Sequence, residues 1–328
     1  MPLSRRCALV AASAAVFAGR AARAQSTDAA IALSSNSFST VTLRVASRLG
    51  MFARHGVNAR IITMDNANAA TSALLGGSVD FAIAGAGELF AARRRGQDVV
   101  LVSNVYRGLS SVVVLAKPIA DASAVRPDAP VAERLKALNA LTFASPSPTA
   151  IFGISVQMAA KQVGASMRMT YIGQTAMPAA LESRAIDAMV AGTPFWVTPV
   201  LRGAGIPWIS CASGELPYDV TPTSSAPLAA MREYAQTHPA VISGVRAALD
   251  DIAAFVTNHP DEMQSALAEI YPDLDRQTLA LGFAKEWQNW TKPVFTEDDV
   301  RHDLAVIKAS GLALPGLDTV DPKSLLFP

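Results

Sequence analysis

One pattern occurs twice in this chain at a constant offset of 107 residues, and it constrains the fold more than any other feature. The segment ALLGGSVDFAIAGA (73–86) aligns with ALESRAIDAMVAGT (180–193), which places Asp80 over Asp187. The general alternation of strands and helices in α/β proteins explains part of this match. It does not explain an acid and a glycine at one shared spacing. The repetition therefore predicts two halves that are built alike.

The same order of elements surrounds both copies. A short apolar strand that ends in serine comes first (31–35 and 141–145), and a helix-period segment follows it and stops at Gly56 or Gly164. A second strand, a polar loop, a short helix and the strand headed by aspartate complete each copy. Strands that alternate with helices build parallel sheets covered on both faces. The sequence predicts an α/β fold with two similar lobes and a ligand cleft between them.

Two segments are candidates for the crossings between the lobes. They are SNVYRGLSS (103–111) and SGELPYDVTPTSS (213–225), the second of which is rich in Pro, Ser and Thr. The chain after them is helical and has no counterpart in the repeat, so we expect it to pack on the first lobe. The predicted division is a first lobe of 25–108 plus 220–328 and a second lobe of 109–219.

The first 24 residues have the layout of a bacterial secretory signal. Arg5 and Arg6 precede an apolar run, and the run leads to the exit Ala22-Arg23-Ala24. We expect cleavage after Ala24, by either Sec or twin-arginine export. Without the four arginines of this segment, 24 of the 28 basic residues remain against all 27 acidic ones, so no basic field for nucleic acid is expected. These features predict a periplasmic protein.

Signatures of catalysis and metal binding are missing from the sequence. The four histidines have no metal-ligand spacing, and no G-x-S-x-G nucleophile elbow occurs. Gly85-Ala86-Gly87 does not continue into a dinucleotide fingerprint. Cys211 has no histidine or arginine beside it that could activate the thiol. We therefore expect no catalytic residue, no cofactor and no metal, so that the chain is not an enzyme.

Six small polar loops follow predicted strands, at the edge where open α/β sheets bind ligands. Several of them precede helices, and free N–H groups at a helix start suit an anion. Helix capping accounts equally well for any single Ser, Thr or Asn in such a loop. The clustering of the loops at equivalent places in both halves favours a binding cleft. The loops are 34–40, 65–68, 85–88, 145–149, 173–175 and 192–196.

Residues 42–103 resemble the periplasmic solute-binding proteins of ABC importers, of the nitrate/sulfonate/taurine and thiamine-pyrimidine-precursor type. The matching marks are Gly50-Met51-Phe52, His55-Gly56-Val57, the ALLGGSVDFAIAG block and, in the second half, AIDAMVAGTPFW and MREYAQTHPAVISGVRAALDDI. The similarity spans nearly the whole chain after residue 24. It implies a type II periplasmic binding fold, whose two lobes close on a solute and present it to a membrane permease.

The resemblance also implies which loops hold the solute. The expected ligand is a small, anionic organic solute such as a sulfonate, a carboxylate or a nitrate-like ion, and the lack of a paired Arg/Lys argues against a doubly charged one. The expected protein is a monomer whose partners are this solute and an ABC permease of the inner membrane. The candidate ligand contacts are Ser35, Asn36, Phe38, Ser39, Asn66, Asn68, Ala86, Gly87, Glu88, Ser111, Ser145, Ser147, Thr149, Thr193 and Phe195.

Two alternatives to a transport role stay open at the level of sequence. Enzymes that make the thiamine pyrimidine, and some of the menaquinone pathway, resemble these binding proteins. A pyrimidine synthase needs a site with cysteine and histidine, which this chain lacks, and such enzymes are cytoplasmic. The second alternative is the ligand-binding subunit of a membrane sensor, which would use the same cleft.

Overall fold

The computed structural model describes residues 27–311 and 320–328. The secretory signal predicted for residues 1–24 lies outside the described residues. None of the helices in the described part of the chain combines the length and the apolar character that a membrane crossing needs.

The described strands form two five-stranded sheets. The first sheet has the order β2-β1-β3-β10-β4, and the second has the order β7-β6-β8-β5-β9. We call each sheet, with the helices packed on it, the first and the second lobe. The strands are β1 (Thr27–Leu33), β2 (Val57–Thr63), β3 (Phe81–Ile83), β4 (Val99–Asn104), β5 (Val112–Ala116), β6 (Thr142–Ser145), β7 (Arg168–Tyr171), β8 (Ala188–Ala191), β9 (Gly205–Ser210) and β10 (Pro227–Met231).

Helices cover both sheets, and short 3-10 turns occur at Phe38–Thr40, Tyr218–Val220 and Trp287–Trp290. The helices of the described chain are α1 (Val41–Arg48), α2 (Met51–Arg54), α3 (Ala67–Leu75), α4 (Ala86–Arg94), α5 (Lys117–Ala122), α6 (Val131–Lys136), α7 (Ile151–Gln162), α8 (Met177–Glu182), α9 (Val197–Leu201), α10 (Arg232–Thr237), α11 (Pro239–Asn258), α12 (Pro260–Ile270), α13 (Arg276–Glu286), α14 (Glu297–Ala309) and α15 (Pro322–Leu325).

The two sheets have the same topology. In the first sheet β1 pairs in parallel with β2 and β3, and β10 runs antiparallel between β3 and β4. In the second sheet β6 pairs in parallel with β7 and β8, and β5 runs antiparallel between β8 and β9. The chain passes between the sheets twice, from β4 to β5 and from β9 to β10. Each sheet therefore contains one antiparallel strand that a crossing segment delivers.

Each repeat-defining aspartate joins two parallel strands of its sheet. A carboxylate oxygen of Asp80 accepts a 2.8 Å hydrogen bond from the backbone N–H of Ala30 in β1. The carboxylate of Asp187 accepts an equal 2.8 Å bond from the N–H of Thr142 in β6. Both aspartates therefore have a structural role, in which the carboxylate caps a backbone N–H of the neighbouring strand.

The C-terminal helices pack more widely than the sequence predicts. Helices α11 and α12 pack on α1, and α14 packs on α4, as expected for a chain that returns to the first lobe. Helix α13 also contacts α9 of the second lobe. Gly282 permits this approach, because a Cβ there would collide with the side chain of Thr193 and lie 2.9 Å from Cε2 of Phe38. The C-terminal helices thus pack on the first lobe, and α13 in addition contacts the second lobe.

Candidate functional site

A cavity of about 370 Å³ lies between the two lobes. The loops after β1, β2 and β3 form one side of it, and the loops after β6, β7 and β8 form the other. Ser225, on the crossing that returns to the first lobe, also lines it. Parallel strands end at one edge of a sheet, so two such edges facing each other produce a cleft of this kind. The volume suits a small organic molecule.

Seven of the predicted contact residues line this cavity. The first lobe contributes Ser35, Asn36, Ser39, Asn66 and Glu88, and the second lobe contributes Ser147 and Phe195. Both sets follow strands, as the loop argument expects. Six other predicted side chains do not line the cavity, nor does the glycine at position 87, and the reasons are specific to each place.

Two of the first-lobe candidates, Phe38 and Asn68, do not line the cavity. Phe38 is fully buried and packs its ring against Tyr271 and Trp290, with centroid separations of 5.5 and 5.7 Å. Asn68 is exposed in the first turn of α3, whereas the preceding N-cap residue, Asn66, lines the cavity. Phe38 is therefore a core residue and Asn68 a surface residue.

Three further predictions lie at a contact between the lobes. Gly87 is buried in α4, and a Cβ on it would lie 3.6 Å from the backbone oxygen of Thr149. Thr149 and Ser147 share a 3.2 Å hydrogen bond between their hydroxyls. Ser145 is fully buried and donates to the backbone of Ser147. Gly87, Ser145 and Thr149 lie where the loop after β6 meets α4 and do not line the cavity, whereas Ser147 of the same loop does. Ala86 begins α4.

The last two predictions lie near the crossings. Ser111 is buried beside Cys211. Thr193 is buried, and its hydroxyl donates to Glu286 at the end of α13 and accepts a 2.7 Å bond from the indole of Trp196. The backbone oxygen of Thr193 accepts a 2.9 Å bond from the N–H of Phe38 across the cleft. Thr193 thus ties the lobes together behind the cavity.

The cavity also has polar and apolar lining residues that the predicted set missed. Thr63 ends β2 and Asp65 follows the strand. Gln174 lies in the loop after β7, where its side chain accepts a 2.7 Å bond from the N–H of Gly192. For Asp65 and Gln174 the sequence signal existed, because 65–68 and 173–175 are two of the six polar loops. Phe152, in the first turn of α7, had no such signal, since it reads as an ordinary helix residue.

Carboxyl groups dominate the charge of the cavity wall. Glu88 is 5% exposed, and burial raises its pKa. Asp65 also lines the cavity and is exposed. Among the described residues that line the cavity, none is a lysine, arginine or histidine. Arg44 reaches the rim only through a hydrogen bond to the side chain of Asn36, and its guanidinium stacks over the ring of Tyr271 at 5.2 Å.

A second carboxyl cluster lies behind the cavity at the crossings. Glu286 is buried and accepts hydrogen bonds from Ser110 and Thr193, and burial raises its pKa to about 7. Asp303 of α14 is also buried, and it accepts a 2.6 Å bond from the N–H of Thr223 on the other crossing. Burial raises its pKa to about 7 as well. Both crossings are therefore attached to C-terminal helices by buried acids.

The family model for the NMT1-like family matches residues 27–271, which is most of the chain. The chain belongs to the NMT1-like family. The match ends at the close of α12, so the region of α13 and α14, with Glu286 and Asp303, lies beyond the segment that the family model covers. No curated protein sequence matches the chain.

Solved structures show the fold of this NMT1-like protein. A protein of Bordetella bronchiseptica RB50 superposes with a TM-score of 0.78 at 17% identity, over 92% of this chain and 95% of that one. The alkanesulfonate-binding protein SsuA from Xanthomonas axonopodis pv. citri, bound to MOPS, superposes at 0.74 with 15% identity, over 92% and 98%. The periplasmic nitrate-binding protein NrtA from Synechocystis PCC 6803 superposes at 0.65 with 12% identity, over 90% and 85%.

At these identities the likeness shows the fold alone. The fold of the NMT1-like chain is the two-lobed α/β fold of periplasmic binding proteins, and this confirms the predicted fold class. The predicted resemblance to the nitrate- and sulfonate-binding proteins is confirmed as well, through the family match and these neighbours.

Proposed function

We propose that this protein is the extracytoplasmic solute-binding component of an ABC importer. The observation that carries the proposal is the cavity of about 370 Å³ between two lobes that are joined by two crossings. Two lobes on such a connection can separate and close again, which lets a solute enter and then encloses it.

Two contacts between the lobes flank the cavity and give closure a structural basis. One is the 2.9 Å hydrogen bond from the N–H of Phe38 to the oxygen of Thr193. The other is the contact of α4 with the loop after β6, where the hydroxyl of Thr149 donates to Glu88. A solute stabilises the closed form only through contacts that the open form lacks, and residues from both lobes line the cavity.

The charge of the solute is the least supported part of the sequence prediction. Helices α3, α4 and α7 begin at the cavity, and their N-terminal N–H groups favour an anion, as the sequence predicts. Asp65 and Glu88 line the same cavity and oppose one. The sulfonate, carboxylate or nitrate-like ligand stays a prediction. The nitrate and alkanesulfonate named for the structural neighbours are the first ligands to test.

An enzymatic role has little support in the described residues. The thiol of Cys211 is fully buried, and burial raises its pKa to about 12, so it is not a nucleophile at neutral pH. No group of three His, Cys, Asp or Glu side chains in the described chain is arranged to hold a metal ion. A sensor subunit would use the same cavity, and the neighbouring genes, permease and ATPase or kinase, would distinguish it from a transporter.

Several finer points of the sequence reading stay predictions under this proposal. They are the export signal cut after Ala24, the periplasmic location, the monomeric state, the permease partner, and the division into 25–108 plus 220–328 and 109–219. N-terminal sequencing of secreted protein and size-exclusion chromatography with light scattering check the first and third of them.

A thermal-shift panel tests the proposed function. The panel contains alkanesulfonates, nitrate, bicarbonate, aromatic acids, amides, amines and pyrimidines. A ligand at a hundredfold excess over its dissociation constant stabilises the folded state by about 2.7 kcal/mol, which is readily measured. A shift with at least one solute, without turnover of that solute, is the expected result. Turnover of the bound compound would show that the protein is an enzyme.

A further inference from the structure

The polar groups of the cavity are distributed unevenly. Its ionisable lining residues among the described ones are two acids, Asp65 and Glu88, and no basic side chain faces them. A ligand with a net negative charge would therefore be brought towards carboxyl groups in a partly enclosed space, where screening by water is reduced.

The helix N-termini at the cavity are also not equivalent. The end of α3 is already capped, because the side chain of Asn66 accepts a 2.9 Å hydrogen bond from the N–H of Ala69. The end of α4 carries its own acid, Glu88, in the first turn. The end of α7 has no side-chain cap at Ala150. Of these three ends, α7 is the one that can offer N–H groups to an acceptor on a ligand.

The carboxylate of Glu88 can accept more hydrogen bonds than it receives from the described side chains. Its carboxylate folds back over Gly85, where a Cβ would collide with Oε2, so the glycine provides the room for this conformation. Among the described residues, the hydroxyl of Thr149 is the side-chain donor to Glu88. A carboxylate offers about four acceptor positions, so most of this capacity is left for groups in the cavity.

We propose that Glu88 selects a solute that presents an N–H-bearing group, namely an amide, an amidine or an ammonium, and that carries no net negative charge. This inference rests on the proposed solute-binding function and adds the chemical class of the ligand. The N–H group faces Glu88, an acceptor on the solute faces the start of α7, and Phe152 and Phe195 provide apolar walls for the part between them.

Three aromatic probes of equal size test the charge class. Benzamidine, benzamide and benzoate differ in the group attached to one ring, and their affinities are measured by isothermal titration calorimetry at pH 7. We expect the wild-type protein to bind benzamidine at least about tenfold more tightly than benzoate, because a charge-assisted hydrogen bond to a buried carboxylate is strong. Benzamide should fall between them.

Substitution of the acid then assigns the preference to one residue. Glu88→Gln should reduce the tenfold preference to less than about threefold. Glu233→Gln is the matched control, because Glu233 also lies in the first turn of a helix but is exposed on α10. The control removes the same charge and should leave the preference unchanged. Glu88→Asp keeps the charge and should keep the order of the probes, which guards against a Gln variant that is poorly folded.

The possible failures are distinguishable. If wild type prefers benzoate, or if Glu88→Gln keeps the full preference for benzamidine, the inference is overturned while solute binding stands. If none of the three probes binds but an alkanesulfonate or nitrate does, the inference is again overturned and the predicted anionic ligand is supported. If no member of either set binds, both the inference and the proposed function fail.

Discussion

The two lobes share the same order of strands and the same aspartate hydrogen bond. They differ in the segment that follows the strand headed by the aspartate. In both, an aspartate accepts a 2.8 Å hydrogen bond from a backbone N–H of the adjacent parallel strand. Glu88 follows Asp80 at the same spacing at which Phe195 follows Asp187, and both Glu88 and Phe195 line the cavity. The repeat therefore places a side chain at the cavity at equivalent positions of both lobes, and the residue type differs between the two positions.

The two loops are also held in different ways. The loop of the second lobe is anchored by hydrogen bonds, since Thr193 bonds to Phe38, Trp196 and Glu286. The loop of the first lobe is held by a close approach, since Gly87 lies against the backbone of Thr149. An anchored loop responds to the ionisation of its anchor, whereas a closely packed loop responds to volume.

The largest expected effect concerns the anchor of the second-lobe loop. Burial raises the pKa of Glu286 to about 7, so the folded protein binds a proton that the unfolded chain releases at lower pH. Stability from this group is complete at acidic pH, falls as the pH rises towards about 7 and stays constant above that. Between pH 4.5 and pH 7.5, the free energy of unfolding of Glu286→Gln should fall by about 3 kcal/mol less than that of the wild-type protein.

Urea unfolding at several pH values measures this change. Asp303 has a raised pKa of similar value and keeps its share of the decline in the Glu286→Gln variant. Asp303→Asn is therefore the matched control, and the double variant should show a smaller decline in this range than either single variant. An unchanged slope in Glu286→Gln would mean that the acid is ionised in the folded protein at all of these pH values.

The second effect concerns the close approach in the first-lobe loop. Gly87→Leu should weaken solute binding about thirtyfold, or about 2 kcal/mol, because the added side chain separates α4 from the loop after β6 and so opposes closure. Gly87→Ala is the control, since a Cβ at 3.6 Å from the oxygen of Thr149 is an ordinary contact. Titration calorimetry of both variants measures the change, and equal affinities would mean that this contact plays no part in closure.

The sequence predicts the strands and helices of each lobe well because the signals for them are local. Strand–helix alternation, the glycine ends of helices and the paired aspartates all depend on neighbours within one lobe. The site is harder to predict because it is formed between lobes. Phe38 follows β1 among serines and looks like a ligand contact, but α13 covers it from a region more than 200 residues away. Gln174 lies in one of the six predicted polar loops, but the sequence does not show that this loop lies beside the loop of Gly192, whose N–H donates to the Gln174 side chain.

A third effect tests whether the shared aspartate hydrogen bond has equal value in both lobes. Asp80→Ala and Asp187→Ala each leave a strand N–H without its carboxylate partner, at a cost of about 1–2 kcal/mol in the free energy of unfolding. The Asn variants at both positions retain an oxygen acceptor and should lose less. Urea unfolding measures all four, and a loss confined to one lobe would show that the hydrogen bonds are alike in geometry but not in stabilising effect.

The smallest expected effect concerns the hydrogen bond between the lobes. Thr149→Val keeps the shape of the side chain and removes the hydroxyl that donates to Glu88. Solute affinity should fall about threefold, since a hydrogen bond of this kind contributes about 0.5–1.5 kcal/mol. A double-mutant cycle with Glu88→Gln isolates the interaction, and the two effects should be less than additive. Additive effects would mean that Thr149 and Glu88 act on the solute separately, and that closure of the lobes depends on the Thr193 loop alone.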